Sequence, residues 1–582
     1  MRRLFGYMRR LAWRYAFGIL CTFLTATLAM LVPYLLGRGI DAIQHYHFEK
    51  LARIALSICV VALSMGFARW FSRFTIFNCG RDVEYEMRKD LFEHLTWLGA
   101  DFYERFKTGD LMSRMINDLS GVRMMVGMGV LTFVNTPLYY IYALSFMLAM
   151  NTRLTLATLV PFIVLFAVMK WLTRSLMERS LKVQEGLAEI GSKVQESLTG
   201  INVIKAYCVE DHDAQVFRAI NDNFNQQGLA LARLRGAMVP MVRSSSAVAV
   251  MIVLIYGGSL VVRHVMSLGD LIAFMAYLGQ LAWPTTSLSW MISIYQRGKA
   301  AMRRLEEIYD TPLPPSVPAV NGRLEVAGAI EWENVSFSYF SWLSGTNNGQ
   351  PYAIRNISVK VPPGSKLAIV GRTGSGKSTM VKLLTRMLEP TAGRILLDGR
   401  DIREIPIDEL RRVIGVVPQE SNLFSQTIAY NAGFGRIDAS RDEIMEAVRV
   451  AGLESDLAAM PRGLDTVVGE RGMSLSGGQK QRVTIARALI YDTPVLVLDD
   501  ALASVDTETE RTVLENLTAG VRDRTTIVVS HRASTVRDAD QIIVLDHGRI
   551  VEHGTHEKLM AEGGIYAELF KRQLLEEELA AY

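Results

Sequence analysis

Cysteine is scarce in this chain: four among 582 residues, Cys21, Cys59, Cys79 and Cys208. Their spacing fits no zinc pattern and no dense disulfide framework, so they read as isolated thiols in helices. Net charge is also slight, at +4. It gives no reason to expect a nucleic-acid partner. Compositional extremes are missing too. With 50% apolar and 21% charged residues and a mean hydropathy of +0.18, the chain is not intrinsically disordered, collagen-like or a small disulfide scaffold. It is too long for one core, so at least two domains are expected.

Averages hide position. The chain divides near residue 310, and the first part holds six long apolar runs. Tyr15–Leu36 and Met124–Thr152 carry no charge. Ile54–Ala68 is apolar and continues past Arg69 and Arg73 to about Phe77. Leu154–Met169, Ser244–Val262 and Leu271–Gln296 complete the set. A spanning helix needs about 20 apolar residues. The runs predict spans at about 15–36, 54–77, 128–150, 154–172, 240–262 and 271–293. Buried helices of a large soluble protein are the competing reading, and six runs of this length weigh against it. Pro284 and Gly279 provide for a bend in the sixth.

Basic residues set the expected orientation. Arg2, Arg3, Arg9, Arg10 and Arg14 precede the first run. Segments 78–123 and 173–235 are rich in Lys and Arg, whereas the connections after runs one, three and five are short and carry few. The N-terminus, both long segments and everything beyond about residue 297 are therefore expected in the cytoplasm. The Arg-rich start has the look of a transit peptide, but it abuts the first run and reads as its positive flank. Both long segments contain almost no proline and suggest helical extensions below the membrane. Arg69, Arg73 and Arg243 are read toward the cytoplasmic ends of their helices. Snorkelling accounts for them more readily than contact with an anionic or amphipathic cargo.

Thr311–Pro318 is a linker by composition, and the linker is taken as 311–328. From Ala329 the pattern changes to short β-rich runs alternating with helices. Lys366–Val370 is an apolar strand leading into Gly371-Arg372-Thr373-Gly374-Ser375-Gly376-Lys377-Ser378-Thr379, followed by a helix. That is a P-loop in its required context. Small residues let backbone N–H groups turn toward phosphates, and the helix N-terminus adds a positive dipole. Lys377 reaches the β- and γ-phosphates and the Ser378 hydroxyl binds Mg²⁺. Pro494-Val-Leu-Val-Leu-Asp499-Asp500 reads as a buried strand delivering Asp499 to Mg²⁺.

Between them lies Leu475-Ser476-Gly477-Gly478-Gln479. Here the sequence resembles the ABC transporter ATPase domain. The resemblance implies that this signature caps the ATP held by the P-loop of a second ATPase domain. One P-loop and one signature make the chain half a transporter, and a second half-transporter is the implied partner. The same resemblance makes Tyr339 the adenine-stacking aromatic, although a core or edge-strand tyrosine is the plain alternative. It makes Gln419 the Mg²⁺-sensing glutamine, His531 the γ-phosphate switch and Asp506 the D-loop aspartate, with Ala503 where the family usually has Ser. Thr466-Val-Val-Gly-Glu470-Arg471 resembles the exporter loop before the signature.

One position departs from the family. Its general base is a Glu after the Walker B aspartate, and this chain has Asp500. A carboxylate displaced by about 1 Å loses on the order of a hundredfold in rate. The resemblance then implies the weakened-base subunit of a heterodimeric exporter, its intact signature completing the partner's site. A tolerated Glu-to-Asp change in a homodimer is the alternative.

Resemblance extends into the first half. Phe102-Tyr-Glu-Arg-Phe-Lys-Thr-Gly-Asp110-Leu-Met-Ser-Arg114, with Asn117 and Asp118, matches the exporters' first cytoplasmic extension. Glu196-x-x-x-Gly200-x-x-x-Ile204-Lys205-Ala206 matches the second. Both carry coupling helices in that family. The expected fold is an α-helical six-span transmembrane domain, residues 1–310, with long cytoplasmic extensions. An α/β P-loop ABC ATPase domain, 329–575, and a tail, 576–582, follow. ATP and Mg²⁺ are the expected cofactors, and the partners are the lipid bilayer, a hydrophobic or amphipathic cargo and a second half-transporter. The implied function is ATP-driven export by alternating access, in a cell (bacterial inner) membrane. Exporter-fold import of siderophore-like cargo and an ATP-gated channel or regulatory subunit are the alternatives.

Overall fold

The computed structural model describes residues 1–314, 325–339, 352–469, 472, 475–502, 509, 512–513, 516, 524–530 and 532–580. Two compact units emerge. One comprises Met1–Leu95 and Gly109–Thr311, the other Thr96–Thr108 and Pro312–Tyr582.

The first unit is helical throughout. Its elements are long because apolar runs continue into polar, proline-poor ones without a breaker. Phe48–Trp97 is a single helix of 50 residues, and Thr152–Thr199 one of 48. Chain reversals occur at His45–His47, where Tyr46 takes φ +58°, and at Arg263–Met266, where His264 takes φ +57°. Asp41 ties the two reversals together. Its carboxylate accepts from the Gly269 N–H at 2.8 Å and the Ser267 hydroxyl at 3.0 Å.

Among the described residues, four helices are long and apolar enough to cross a membrane: Ala12–Gln44, Phe48–Trp97, Thr108–Met150 and Ser244–Val262. Thr152–Val164 is apolar but shorter. The expected sixth run is not one helix. Leu268–Gln280 ends and Ala282–Tyr309 begins around Leu281. Pro284 has no N–H to give the Gln280 carbonyl, so the break falls one turn before it. Large apolar side chains such as Leu63 and Phe67 face outward, 65% and 66% exposed. The interior combines a cluster around Met30, Met147, Phe274 and Tyr277 with small residues at the closest approaches. Gly80 and Gly127 bring the Phe48–Trp97 and Thr108–Met150 helices into backbone contact, leaving only 3.1 Å between an added Cβ and the Gly127 Cα.

Farther along these helices, ion pairs replace apolar packing. Arg114 donates to Asp110 at 2.9 Å and to Glu307 at 2.8 Å. Asp118, buried, pairs with Arg304, and Glu84 pairs with Arg88 and Arg123. The N-terminal helix Arg2–Arg10 buries Leu4, and its Tyr7 hydroxyl donates to Asp90 at 2.5 Å.

Among its described residues, the second unit holds two sheets. β1 (Ile330–Phe337), β2 (Ile354–Val361), β4 (Ala392–Leu397) and β5 (Arg400–Asp401) form an antiparallel sheet in the order β2-β1-β4-β5. β3 (Lys366–Gly371), β6 (Ile414–Val417), β7 (Val495–Asp499), β8 (Thr525–Val529), β9 (Gln541–Asp546) and β10 (Arg549–Gly554) form the other, in the order β10-β9-β3-β8-β7-β6. All its pairs are parallel except β9 with β10. A parallel strand is covered on both faces, hence the unbroken apolar run of β7. A core of Trp332, Phe337, Ile369, Met380, Val497 and their neighbours is shared by both sheets. Thr96–Thr108 clusters with this unit, and its Phe102 is buried.

Candidate functional site

The register of the parallel sheet sets the site. Ile369 pairs with Val529, and Val529 pairs with Asp499. The carboxyl ends of β3, β8 and β7 therefore finish together, which is where open α/β sheets carry ligands.

The Gly371–Gly376 loop leaves β3 there. Gly374 and Gly376 take φ of +82° and +105°. An added Cβ on Gly376 would sit 2.6 Å from Ile354 Cγ2, so conformation and space both require glycine. The helix Lys377–Leu384 begins immediately after. Lys377 Nζ donates to the carbonyls of Gly371 at 2.8 Å and Arg372 at 3.0 Å. Ser375 Oγ is buried and, among the described residues, has no hydrogen-bond partner.

A cavity of about 330 Å³ opens over the loop. Thr373, Gly374 and Gly376–Thr379 form its floor, and Asp499, Asp500, Gln419, Tyr339 and Ala353 its walls. Ser378 Oγ donates to Asp499 Oδ1 at 3.1 Å. Burial raises the pKa of the Asp499 carboxyl, against the Ser378 hydrogen bond. Burial likewise lowers that of the Lys377 ammonium. Each group thus gains from an opposite charge brought into the cavity. Asp500 adopts φ +49°, a left-handed conformation that aspartate tolerates better than most residues. Its N–H donates to Val529 O at 2.8 Å. Tyr339 stands edge-on to Phe337, at 5.0 Å between ring centroids, and its hydroxyl lies 3.2 Å from Thr379 Oγ1.

Gly371–Thr379, Tyr339, Gln419, Asp499 and Asp500 are thus gathered at one strand edge. Ammonium, hydroxyls, loop N–H groups and carboxylates there can hold a polyphosphate with a divalent cation. Ser476–Gln479 are not among the cavity's lining residues. They open the helix Gly477–Leu489 in a capping box: Ser476 Oγ accepts from Gln479 N–H at 3.3 Å and Gln479 Oε1 from Ser476 N–H at 3.0 Å. Asp456 was not legible as part of this arrangement. It accepts from Gln479 Nε2 at 2.7 Å and from Arg482 at 2.8 Å. No motif marks it, because the contact joins separate helices. His531, Asp506, Glu470 and Arg471 lie outside the described residues.

Family models agree with both halves. One described as the ABC transporter transmembrane region matches residues 15–285, and one described as ABC transporter matches 354–503. The chain is 34% identical over 582 residues to "Probable multidrug resistance ABC transporter ATP-binding/permease protein YheI" of Bacillus subtilis (strain 168), covering 98% of each. It is 33% identical to the multidrug resistance-like ATP-binding protein MdlA of Escherichia coli (strain K12), over 98% of this chain and 96% of the relative. An ATP-dependent lipid A-core flippase of Methylococcus capsulatus is 33% identical over 90% of this chain and 86% of the relative. The solved structure of a bacterial Atm1-family ABC exporter with ATP bound superimposes with a TM-score of 0.78 at 29% identity, covering 97% of this chain and 98% of that one.

Proposed function

Because the chain belongs to the ABC transporter family, as an exporter half-transporter with membrane and ATPase domains in one polypeptide, we propose that it works in a pair, binding ATP between the P-loop of one chain and the signature of the other. ATP hydrolysis by the ATPase domain is coupled to transport. The observation that carries the paired reading is the separation of Ser476–Gln479 from the cavity of their own chain. A capped helix N-terminus with exposed Ser476 and Gly477 suits the phosphates of a second chain.

In this reading the loop N–H groups and Lys377 hold the phosphates, and Tyr339 stacks on the adenine. Ser378, Asp499 and Gln419 offer the hard oxygen donors that Mg²⁺ takes, and Ser378 and Asp499 are already in contact. Mg²⁺ when bound neutralises phosphate charge. Asp500 orients the attacking water and takes its proton, from a carboxylate one methylene shorter than Glu. His531 contacts the γ-phosphate. Closure of the ATPase pair is relayed through the helical extensions to six spans, counting the shorter Thr152–Val164 segment and the broken sixth run. The N-terminus and ATPase domain are cytoplasmic. The names of relatives support drugs, lipids or similar amphipaths as cargo.

The short carboxylate of Asp500 favours a heterodimer whose partner carries Glu. The purified chain alone should hydrolyse ATP slowly, and Asp500→Glu should raise its turnover by up to roughly a hundredfold. Normal turnover of the unmodified chain, abolished by Asp500→Asn, means a homodimer instead. ATP-dependent accumulation of a labelled amphipath in inverted vesicles tests export. Depletion means import, and leak along a gradient means a channel.

A further inference from the structure

The first unit contains a cavity of about 480 Å³, walled by the Ala12–Gln44, Phe48–Trp97 and Val130–Met150 helices and the break between Leu268–Gln280 and Ala282–Tyr309. Arg69 and Arg73 line it from the Phe48–Trp97 helix. Asn135, Tyr139 and Gln280 face the same space. Among the described residues, neither guanidinium lies within ion-pair distance of a carboxylate; Arg69 reaches only the weak acceptor Met65 Sδ, at 3.6 Å. Gln280 donates its amide N–H to Ala29 O at 3.1 Å, while its Oε1 is buried and, among the described residues, has no donor.

Snorkelling does not account for both arginines. The two antiparallel helices are keyed by the 2.6 Å Thr22–Ser72 hydroxyl contact and, beyond it, by the 2.7 Å Arg14–Asp82 pair, the last charged contact before the Tyr15–Leu36 run. At about 1.5 Å per residue, Arg73 stands about 13 Å and Arg69 about 20 Å along the helix from Asp82. An extended arginine side chain reaches roughly 7 Å. Arg69 is level with Thr25, near the middle of the Tyr15–Leu36 run. A charge at that depth is costly unless something pairs with it.

We propose that this cavity is a cargo subsite selective for anionic amphipaths. Arg69 and Arg73 take a phosphate or carboxylate headgroup, and Gln280 Oε1 accepts from a hydroxyl or N–H beside it. The inference rests on the transport reading above and adds the sign of the cargo's charge. Guanidinium suits it because its planar donors bind either oxyanion in bidentate fashion.

The test uses the full chain in lipid nanodiscs and measures binding of four single-chain probes: lysophosphatidic acid, laurate, neutral monolaurin and dodecyltrimethylammonium. Both anions should bind more tightly than the neutral and cationic probes. The Arg69→Gln/Arg73→Gln variant should lose roughly tenfold or more of anion affinity, while Arg69→Lys/Arg73→Lys retains part of the preference. Preference for lysophosphatidic acid over laurate points to a membrane phospholipid, and equal binding to any anionic amphipath. Anions bound no better than the cation, or a preference surviving the double Gln substitution, overturns the proposal. If the Gln variant does not fold, loss of all preference on Lys substitution of folded protein would equally overturn a charge-based site. ATP-driven movement of monolaurin in vesicles is scored separately, so that transport can stand while selectivity falls.

Discussion

In the ATPase unit, large side chains turn inward. Trp332, Phe337 and Tyr566 are almost fully buried, and the parallel strands are apolar on both faces. In the membrane unit, Leu63, Phe67 and Trp70 turn outward, while Thr22, Thr25, Ser72, Thr136, Thr155 and Thr158 are buried. Different surroundings add different solutions, although the membrane unit also buries Phe274 and Tyr277. Water drives apolar groups into a core, so the ATPase unit packs bulk at its centre and leaves polar chemistry to strand ends. Lipid offers no such drive between helices, so the membrane unit adds close backbone approach, hydroxyl contacts and, beyond its apolar runs, ion pairs to the packing around Phe274 and Tyr277. One unit therefore concentrates function in a few atoms on a robust core. The other spreads function over a lining whose residues also hold the helices together.

That contrast can be broken by substitution. Lys377→Ala should cost roughly a hundredfold or more in ATP turnover while the melting temperature barely moves. A parallel fall in thermal stability would show that the loop also holds the core. Gly80→Val should do the reverse. With 3.1 Å between its Cβ and Gly127 Cα, it should destabilise the membrane unit by about 1–3 kcal/mol, read as early thermal aggregation, with nucleotide affinity retained. An unchanged melting profile would mean that the helices slide apart at little cost. Smallest is Tyr339→Ala, which should weaken nucleotide binding roughly three- to tenfold with stability nearly unchanged. A change in stability without one in affinity would make Tyr339 the core tyrosine that its sequence context also allowed.

The units were also unequally legible. A P-loop, an aspartate-tipped apolar strand and a signature helix are local patterns, because each builds its geometry within a few residues. Their convergence depends on strand order, which no local pattern carries. The apolar runs announced membrane helices, but a 50-residue helix does not say where the membrane ends along it. From sequence, Arg69 and Arg73 read toward cytoplasmic ends; that Arg69 is level with Thr25 follows only from the tertiary Thr22–Ser72 and Arg14–Asp82 contacts. Gly279 and Pro284 hinted at a bend, and the break at Leu281 is more complete than that hint. Asp456 was invisible because its contacts to Gln479 and Arg482 are tertiary.

The Phe48–Trp97 helix spans about 75 Å at 1.5 Å per residue, of which a bilayer core occupies about 30 Å. It contains no proline, so no built-in joint divides it. Such a rod has the geometry of a lever, in backbone contact with its neighbour at Gly80–Gly127. Tilting it by about 5° carries one end roughly 6 Å sideways relative to the other. A displacement of that size is comparable to the width of a fatty-acyl chain.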